Sequence, residues 1–130
     1  MKITDAYFVL ALVGWSMAYP LAAGAVVQED FVIRKAEDLV DVCAVTPDEP
    51  LYQSAIHFCH GYLVGAYHYY RKAVPGAGKE PFVCLPNPTP SRNEVVRLFV
   101  SWAQSHPQYQ AEDAVDALFR FAAEQWPCGR

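Results

Sequence analysis

Positive charge is scarce in this 130-residue sequence, and its scarcity narrows the class of protein. Ten Lys and Arg are outnumbered by fourteen Asp and Glu, which gives a formal net charge of −4, and the basic residues are scattered along the chain. Proteins that bind nucleic acid need clustered cations to neutralise phosphates, so this composition argues against such a partner. With 53% apolar and 18% charged residues, the chain has the composition of one globular domain.

The motifs of metal and cofactor sites are also missing, even from the unusual stretch HFCHGYLVGAYHYY at residues 57–70. A c-type haem attachment needs Cys-x-x-Cys-His, and Ile56 stands where the first cysteine before Cys59-His60 would be. Two zinc ligands on one helix face lie four residues apart, and no pair among the cysteine and three histidines of the stretch has that spacing. The sequence therefore predicts neither a metal nor a cofactor.

The N-terminal segment MKITDAYFVLALVGWSMAYPLAAGA has the pattern of a signal peptide. A lysine precedes an apolar run that ends at Ala18, a proline follows, and small residues occupy positions −3 (Ala23) and −1 (Ala25) of a cleavage site. Cleavage after Ala18 is an alternative. An uncleaved anchor is another, although the run is shorter than the roughly 20 residues that span a bilayer. We expect residues 1–25 to direct export and residues 26–130 to form a mature domain outside the membrane.

Apolar residues recur at helical spacing in four segments of the mature domain, and no segment shows the sustained alternation of a strand. Residues 73–90 contain five prolines and two glycines, so we expect a loop through which no helix runs. The predicted architecture is a small all-α bundle of four to five helices. Its main helices are Arg34 to Cys43, Leu51 to about Lys72, a helix capped by Ser91 and stopped by Pro107, and Ala111 to Trp126.

All four cysteines, Cys43, Cys59, Cys84 and Cys128, fall in the mature domain. An even number in an exported chain predicts two disulfides, for which three pairings are possible. In a hairpin of the last two helices, Cys84 and Cys128 lie at the same end, which favours their pairing and leaves Cys43 with Cys59. An oxidised Cys59 is not a nucleophile, and no serine lies in a Gly-x-Ser-x-Gly motif, so we predict no catalytic residue.

Gly61 and Gly65 lie four residues apart in the second predicted helix. Each glycine costs a helix roughly 1 kcal/mol relative to alanine, so the pair predicts close packing of another backbone or ring on that face. The alternative is that both occur by chance in a tolerant helix. Four tyrosines in the same stretch exceed what one small core can hide, and they indicate a surface that contacts a partner.

Five segments, in order, resemble the Rap/Tai family of immunity proteins, which is associated with type VI secretion in Gram-negative bacteria. The segments are DLVDVC, CHGYLVG, VCLP, SRNEVVRLFVSWAQSHPQY and LFRFAAEQWPC. Together they cover essentially the whole mature domain and include all four cysteines. Each segment is weak evidence alone, whereas the ordered set is specific.

The resemblance implies a periplasmic helical protein, often a homodimer, that binds and blocks a peptidoglycan amidase effector and has no catalysis of its own. A disulfide-linked, rigid scaffold loses little entropy on docking, so a protruding turn can occlude an enzyme cleft tightly. The turn HPQYQ is one candidate, and a simple helix stop is the alternative reading of it. The proline-rich loop is the other candidate. The residues concerned are His106, Gln108, Tyr109 and Gln110 in the turn, and Lys79 and Phe82 in the loop.

Two other classes of function fit parts of the sequence. An HdeA-like periplasmic acid-stress chaperone is also small, helical and disulfide-bonded, and four histidines with many carboxylates permit pH sensitivity. Such a chaperone would dissociate and protect client proteins at strongly acid pH. An exported enzyme is the third class, and it would require Cys59 to be reduced and titratable in the native protein.

Overall fold

A computed structural model of the chain describes residues 25–129, and the predicted signal peptide, apart from Ala25, lies outside these residues. The described part contains four α-helices and no strand, which confirms the predicted all-α class. None of its helices is long and apolar enough to cross a membrane. The helices are α1 (Ala36–Cys43), α2 (Tyr52–Gly76), α3 (Arg92–Ser105) and α4 (Ala114–Gln125), with short 3-10 helices at Gln28–Phe31 and Pro107–Tyr109.

The shortest α-helix, α1, lies at the centre of the bundle and packs against the other three. Leu39 and Val42 on α1 are fully buried, and burial of one such side chain stabilises the fold by roughly 1.5–3 kcal/mol. The helix begins at Ala36, two residues later than predicted. The reason is that the Asp38 carboxylate accepts the backbone N–H groups of Arg34 (2.9 Å) and Lys35 (2.8 Å) and so ends the extended segment before the helix.

Helix α2 continues past its predicted end at Lys72 to Gly76 and includes Pro75. The prediction that no helix enters residues 73–90 is therefore wrong for the first four of them. A proline lacks an N–H group, so Pro75 removes one helical hydrogen bond, and in the last turn that loss interrupts nothing further along the helix. The chain leaves the helix through Gly78, whose φ of 71° is a left-handed conformation that favours glycine.

Helices α3 and α4 form the predicted hairpin. The Ser91 hydroxyl accepts the backbone N–H of Glu94 at 3.2 Å, which confirms the predicted N-cap of α3. Helix α4 begins at Ala114, three residues later than predicted, because Asp113 is extended and the N–H of Ala114 donates instead to the carbonyl of Arg34 at 3.0 Å. A contact between distant segments thus sets where α4 begins.

Two disulfides join the elements, and they are the pairs that the hairpin geometry favoured. Cys43 at the end of α1 is bonded to Cys59 on α2, with Cα atoms 5.3 Å apart. Cys84 in the loop is bonded to Cys128 after α4, with Cα atoms 4.9 Å apart. The N–H of Cys84 also donates to the carbonyl of Trp126 at 2.8 Å, so covalent and hydrogen bonds hold the loop against the C-terminal segment.

The glycine face of α2, around Gly61 and Gly65, is not covered by any other element of the described chain. A Cβ atom built on either glycine would have nothing within 4 Å, and both residues are exposed. Helix α2 meets the core with its opposite side, through Ala55, Cys59 and Leu63, so close packing on the glycine face stays a prediction about a partner.

Candidate functional site

The turn between α3 and α4 contains a stack of three rings. Trp102 and His106 stack with centroids 4.8 Å apart and planes 24° apart. Trp102 and Tyr109 stack at 5.6 Å with planes only 8° apart. Trp102 and His106 can meet because residues four apart share a helix face. Pro107 then begins the 3-10 helix that brings Tyr109 back over the indole.

Hydrogen bonds fix the same turn. Nδ1 of His106 lies 2.7 Å from the carbonyl oxygen of Trp102, and since a carbonyl can only accept, Nδ1 carries the hydrogen. The Gln110 side-chain amide donates to the carbonyl of Ala103 at 3.1 Å. The indole N–H of Trp102 donates to Glu124 on α4 at 2.7 Å. The His106 bond satisfies a carbonyl group that the end of α3 would leave free, and the three bonds together tie the turn to α3 and α4.

Arg120 on α4 supports the turn from the other side. Its guanidinium carbon lies 4.3 Å from the centre of the Tyr109 ring. The same group donates twice to the Glu112 carboxylate, from Nη2 at 2.9 Å and Nε at 3.2 Å, and this pairing raises the pKa of Arg120. Sequence reasoning missed this pair, because Glu112 and Arg120 are eight residues apart and meet only once the turn has formed.

The structure brings the four predicted turn residues together, but they differ in their exposure to solvent. Gln108 is exposed at the tip, whereas His106, Tyr109 and Gln110 are half-buried by the contacts that hold the turn. Sequence reasoning also missed Trp102, which was not among the predicted site residues. The spacing of four between Trp102 and His106 was the available signal.

The two predicted loop residues lie near each other in the chain but differ in their contacts. Lys79 is exposed. Phe82 is 46% exposed, and its ring packs edge-on against Tyr70 with centroids 4.9 Å apart. The buried Tyr70 hydroxyl accepts the backbone N–H groups of Phe82 (2.6 Å) and Val83 (2.9 Å). Helix α2 therefore fixes where Phe82 stands, despite the five prolines of this loop.

A shallow depression of about 890 Å³ connects Phe82 with the supports of the turn. Phe82, Glu112 and Arg120 all line it, together with the ion pair of Lys35 and Asp113 at 2.7 Å. Its four carboxylates outnumber its two cations, so the depression carries net negative charge. The carboxylates are those of Glu112, Asp113, Asp116 and Glu124. Phe82 and the two residues that support the turn, Glu112 and Arg120, thus line one depression, and Lys79 is not among its lining residues.

Two kinds of reactive group that the sequence raised can be checked in the described residues. Cys59 is bonded to Cys43, so its sulfur is not a thiolate. Within residues 25–129, no three His, Cys, Asp or Glu side chains are grouped so that they could hold a metal ion. What the surface offers is a rigid aromatic turn, an exposed amide at its tip and an acidic depression beside it.

Fold and site together define a class of protein: a small all-α domain, joined by disulfides, with a fixed aromatic turn at one corner. A family model described as Rap1a immunity proteins matches residues 35–128, which is more than half of the chain. The chain belongs to this family of immunity proteins, and the resemblance noted in the sequence is confirmed. No curated protein and no solved structure gives a significant match.

Proposed function

We propose that this protein is a periplasmic immunity protein that binds a peptidoglycan amidase delivered by a type VI secretion system and occludes its active site. Family membership supports the general statement that the protein protects against a secreted effector. The signal-peptide pattern of residues 1–25 and the two disulfides support export into an oxidising compartment. In this proposal the protein inhibits by occupancy and catalyses nothing itself.

The ordered HPQYQ turn is the observation that carries the mode of inhibition. Three stacked rings and the Arg120 guanidinium hold Gln108 in an exposed position before any partner arrives. A turn ordered in advance loses little conformational entropy on binding. Tyr and Trp side chains are also frequent centres of binding energy at protein interfaces.

The acidic depression beside the turn favours a partner with a basic rim around its cleft. Complementary charges accelerate encounter and fix the relative orientation of two proteins. Phe82 at the other edge of the depression supplies exposed apolar surface, which suits the centre of an interface better than its rim. The turn would enter the cleft while the depression contacts its edge.

We also propose that the protein forms a homodimer through the glycine face of α2. Gly61 and Gly65 leave this face flat and open, so two helices can approach closely there. Large apolar groups border it, since Tyr69 is 76% exposed and Phe58 is 36% exposed. These rings would be covered in a symmetric dimer, in which each copy presents the same face.

Calorimetric titration of the mature protein with any peptidoglycan amidase that proves to be encoded near its gene tests the proposed function. We expect one chain to bind one enzyme with a dissociation constant on the order of nanomolar, as is common for interfaces of standard size. No binding to that amidase, together with protection of unfolded client proteins at strongly acid pH, would instead support the acid-stress chaperone.

A further inference from the structure

A separate cavity of about 540 Å³ lies between α2, the loop before α3, and α4. Its floor consists of core side chains that are less than 9% exposed, namely Leu63, Val83, Leu118, Phe121 and Ala122. Cavities that hold small ligands have volumes of roughly 300–1,000 Å³ and mostly apolar walls. The cavity therefore has the size and lining of a small-molecule site, and it shares only Phe119 with the acidic depression beside the turn.

The ionisable side chains that line this cavity are basic, apart from Tyr67. Arg71 and Arg92 are exposed, and with His60 and His68 they are the ionisable neighbours of the cavity besides Tyr67; no Asp or Glu lines it. This segregation is notable in a chain with a net charge of −4. Neither arginine belongs to the two ion pairs found within residues 25–129.

Two polar side chains at the cavity, those of Arg71 and His60, have contacts that bear on ligand binding. The guanidinium carbon of Arg71 lies 5.9 Å from the centre of the Tyr67 ring, so stacking holds this cation beside the cavity. Nε2 of His60 is buried and has no hydrogen-bond partner among the described residues. Buried polar atoms usually have a hydrogen-bond partner, so this nitrogen is an unsatisfied group next to the cavity.

We propose that this cavity binds a single-chain amphiphile with an anionic head group. The apolar chain lies on the core side chains. The head group pairs with Arg71 and Arg92 at the mouth of the cavity, which His60 also lines. A peptide segment fits less well, because its backbone N–H and carbonyl groups would be buried against an apolar floor without partners. The site is independent of the proposed inhibition of an amidase.

Titration of the mature, oxidised protein with dodecanoate below its micelle concentration tests the proposal. We expect saturable binding of one dodecanoate per chain, with a change in the fluorescence of Trp126, which lines the cavity. The uncharged 1-dodecanol should bind at least about tenfold more weakly, because it lacks charge-assisted hydrogen bonds to arginine. Acetate, which has the head group alone, should not bind measurably.

Arginine variants distinguish a charge-specific site from general apolar adsorption. Arg71→Gln and Arg92→Gln should each weaken dodecanoate binding about tenfold and leave 1-dodecanol binding unchanged. Arg97→Gln is the matched control, since Arg97 is an exposed arginine on α3 that does not line the cavity. Val64→Trp fills the cavity from a half-buried position and should abolish binding while the helical content remains.

Several results would overturn the proposal. Absence of saturable dodecanoate binding is one, and equal affinity for dodecanoate and 1-dodecanol is another. Unchanged binding in both arginine variants would show that the cations play no part. A short apolar peptide with a free C-terminal carboxylate that binds where dodecanoate does not would identify a peptide site in place of an amphiphile site.

Discussion

Asp38 and Asp41 lie one turn apart on α1, yet their surroundings shift their pKa values in opposite directions. The backbone N–H groups of Lys35 and Arg34 lower the pKa of Asp38. Burial raises the pKa of Asp41, and nearby carboxylates, Asp30 first, add to the effect. The folded state therefore stabilises the charged form of Asp38 and destabilises the charged form of Asp41.

Substitution of these two residues should change stability with opposite sign. Asp38→Ala removes the acceptor for two backbone N–H groups and should lower the free energy of unfolding by about 1 kcal/mol at neutral pH. Asp41→Asn removes a carboxylate that the neighbouring carboxylates of Asp30, Asp38 and Glu37 repel, and it should raise the free energy of unfolding. Urea denaturation of both variants at one pH checks the prediction, and a shift of the same sign in both would contradict it.

The pH dependence of these two effects should also differ. The pKa of Asp38 is lowered, so its contribution is complete above the ordinary value of 3.8 and disappears as the pH falls below that value. The pKa of Asp41 is raised, so its penalty is present at neutral pH and is relieved before the pH has fallen to 3.8. On acidification, the gain in the free energy of unfolding from Asp41→Asn should vanish first. The loss caused by Asp38→Ala should vanish at lower pH. The reverse order would show that these causes are misassigned.

Single residues were the hardest scale to predict from sequence. The turn residues His106 and Tyr109 were predicted to contact a partner directly. In the structure their rings stack on each other and on Trp102, which leaves less of their surface for a partner. The ion pair of Glu112 with Arg120 was not predicted at all. Such pairs depend on where a turn places the chain, which local sequence does not encode.

At the scale of elements, the aromatic turn is the part of the fold that binding should depend on most. Trp102→Leu removes the ring that both His106 and Tyr109 stack on, and each aromatic contact is worth about 0.5–1.5 kcal/mol. We expect affinity for the amidase to fall about tenfold or more while circular dichroism shows the helices intact. Unchanged affinity in a folded Trp102→Leu protein would place the binding site elsewhere.

The glycine face of α2 gives a second test at this scale. Gly61→Ala and Gly65→Ala should each stabilise the isolated chain by about 1 kcal/mol, since alanine favours a helix and the new Cβ meets nothing. In a dimer that is close-packed through this face, the same methyl groups would separate the helices. We therefore expect higher stability at low concentration but weaker association, measured by light scattering. Unchanged association would exclude this face as the interface.

Helix number and order followed from apolar periodicity, whereas three helix boundaries did not. Helices α1 and α4 begin later than predicted because the Asp38 carboxylate and the Arg34 carbonyl take N–H groups near their starts. Helix α2 ends later because a proline in the last turn costs one hydrogen bond only. Periodicity reports which residues face the core, and tertiary hydrogen bonds decide where each helix begins and ends.

At the scale of the whole molecule, the disulfides carry a large share of the stability. The bond between Cys43 and Cys59 spans 16 residues, and that between Cys84 and Cys128 spans 44. The chain-entropy model assigns these loops about 3 and 4 kcal/mol, which is comparable with the total stability of a small domain. The even cysteine count and the helical hairpin were enough to favour this pairing from sequence.

Paired Cys→Ser substitutions test that share. Replacement of Cys84 and Cys128 should lower the free energy of unfolding by about 4 kcal/mol, and replacement of Cys43 and Cys59 by about 3 kcal/mol. The buried position of Cys43 and Cys59 adds to the second cost, because serine would place hydroxyl groups in the core. Urea denaturation of the two double variants measures both values, and wild-type stability in either would contradict the account.

The most direct measurement is hydrolysis of peptidoglycan by the amidase that the calorimetric titration identifies as a partner, titrated with the mature protein and with two charge-matched variants. Gln108→Arg places a cation at the tip of the turn, and Asn93→Arg places the same cation at the exposed N-terminal end of α3. We predict complete inhibition at one chain per enzyme by the wild-type and Asn93→Arg proteins, and inhibition weakened at least about tenfold by Gln108→Arg. Equal inhibition by all three proteins, or by none, would contradict the claim that this turn blocks the enzyme.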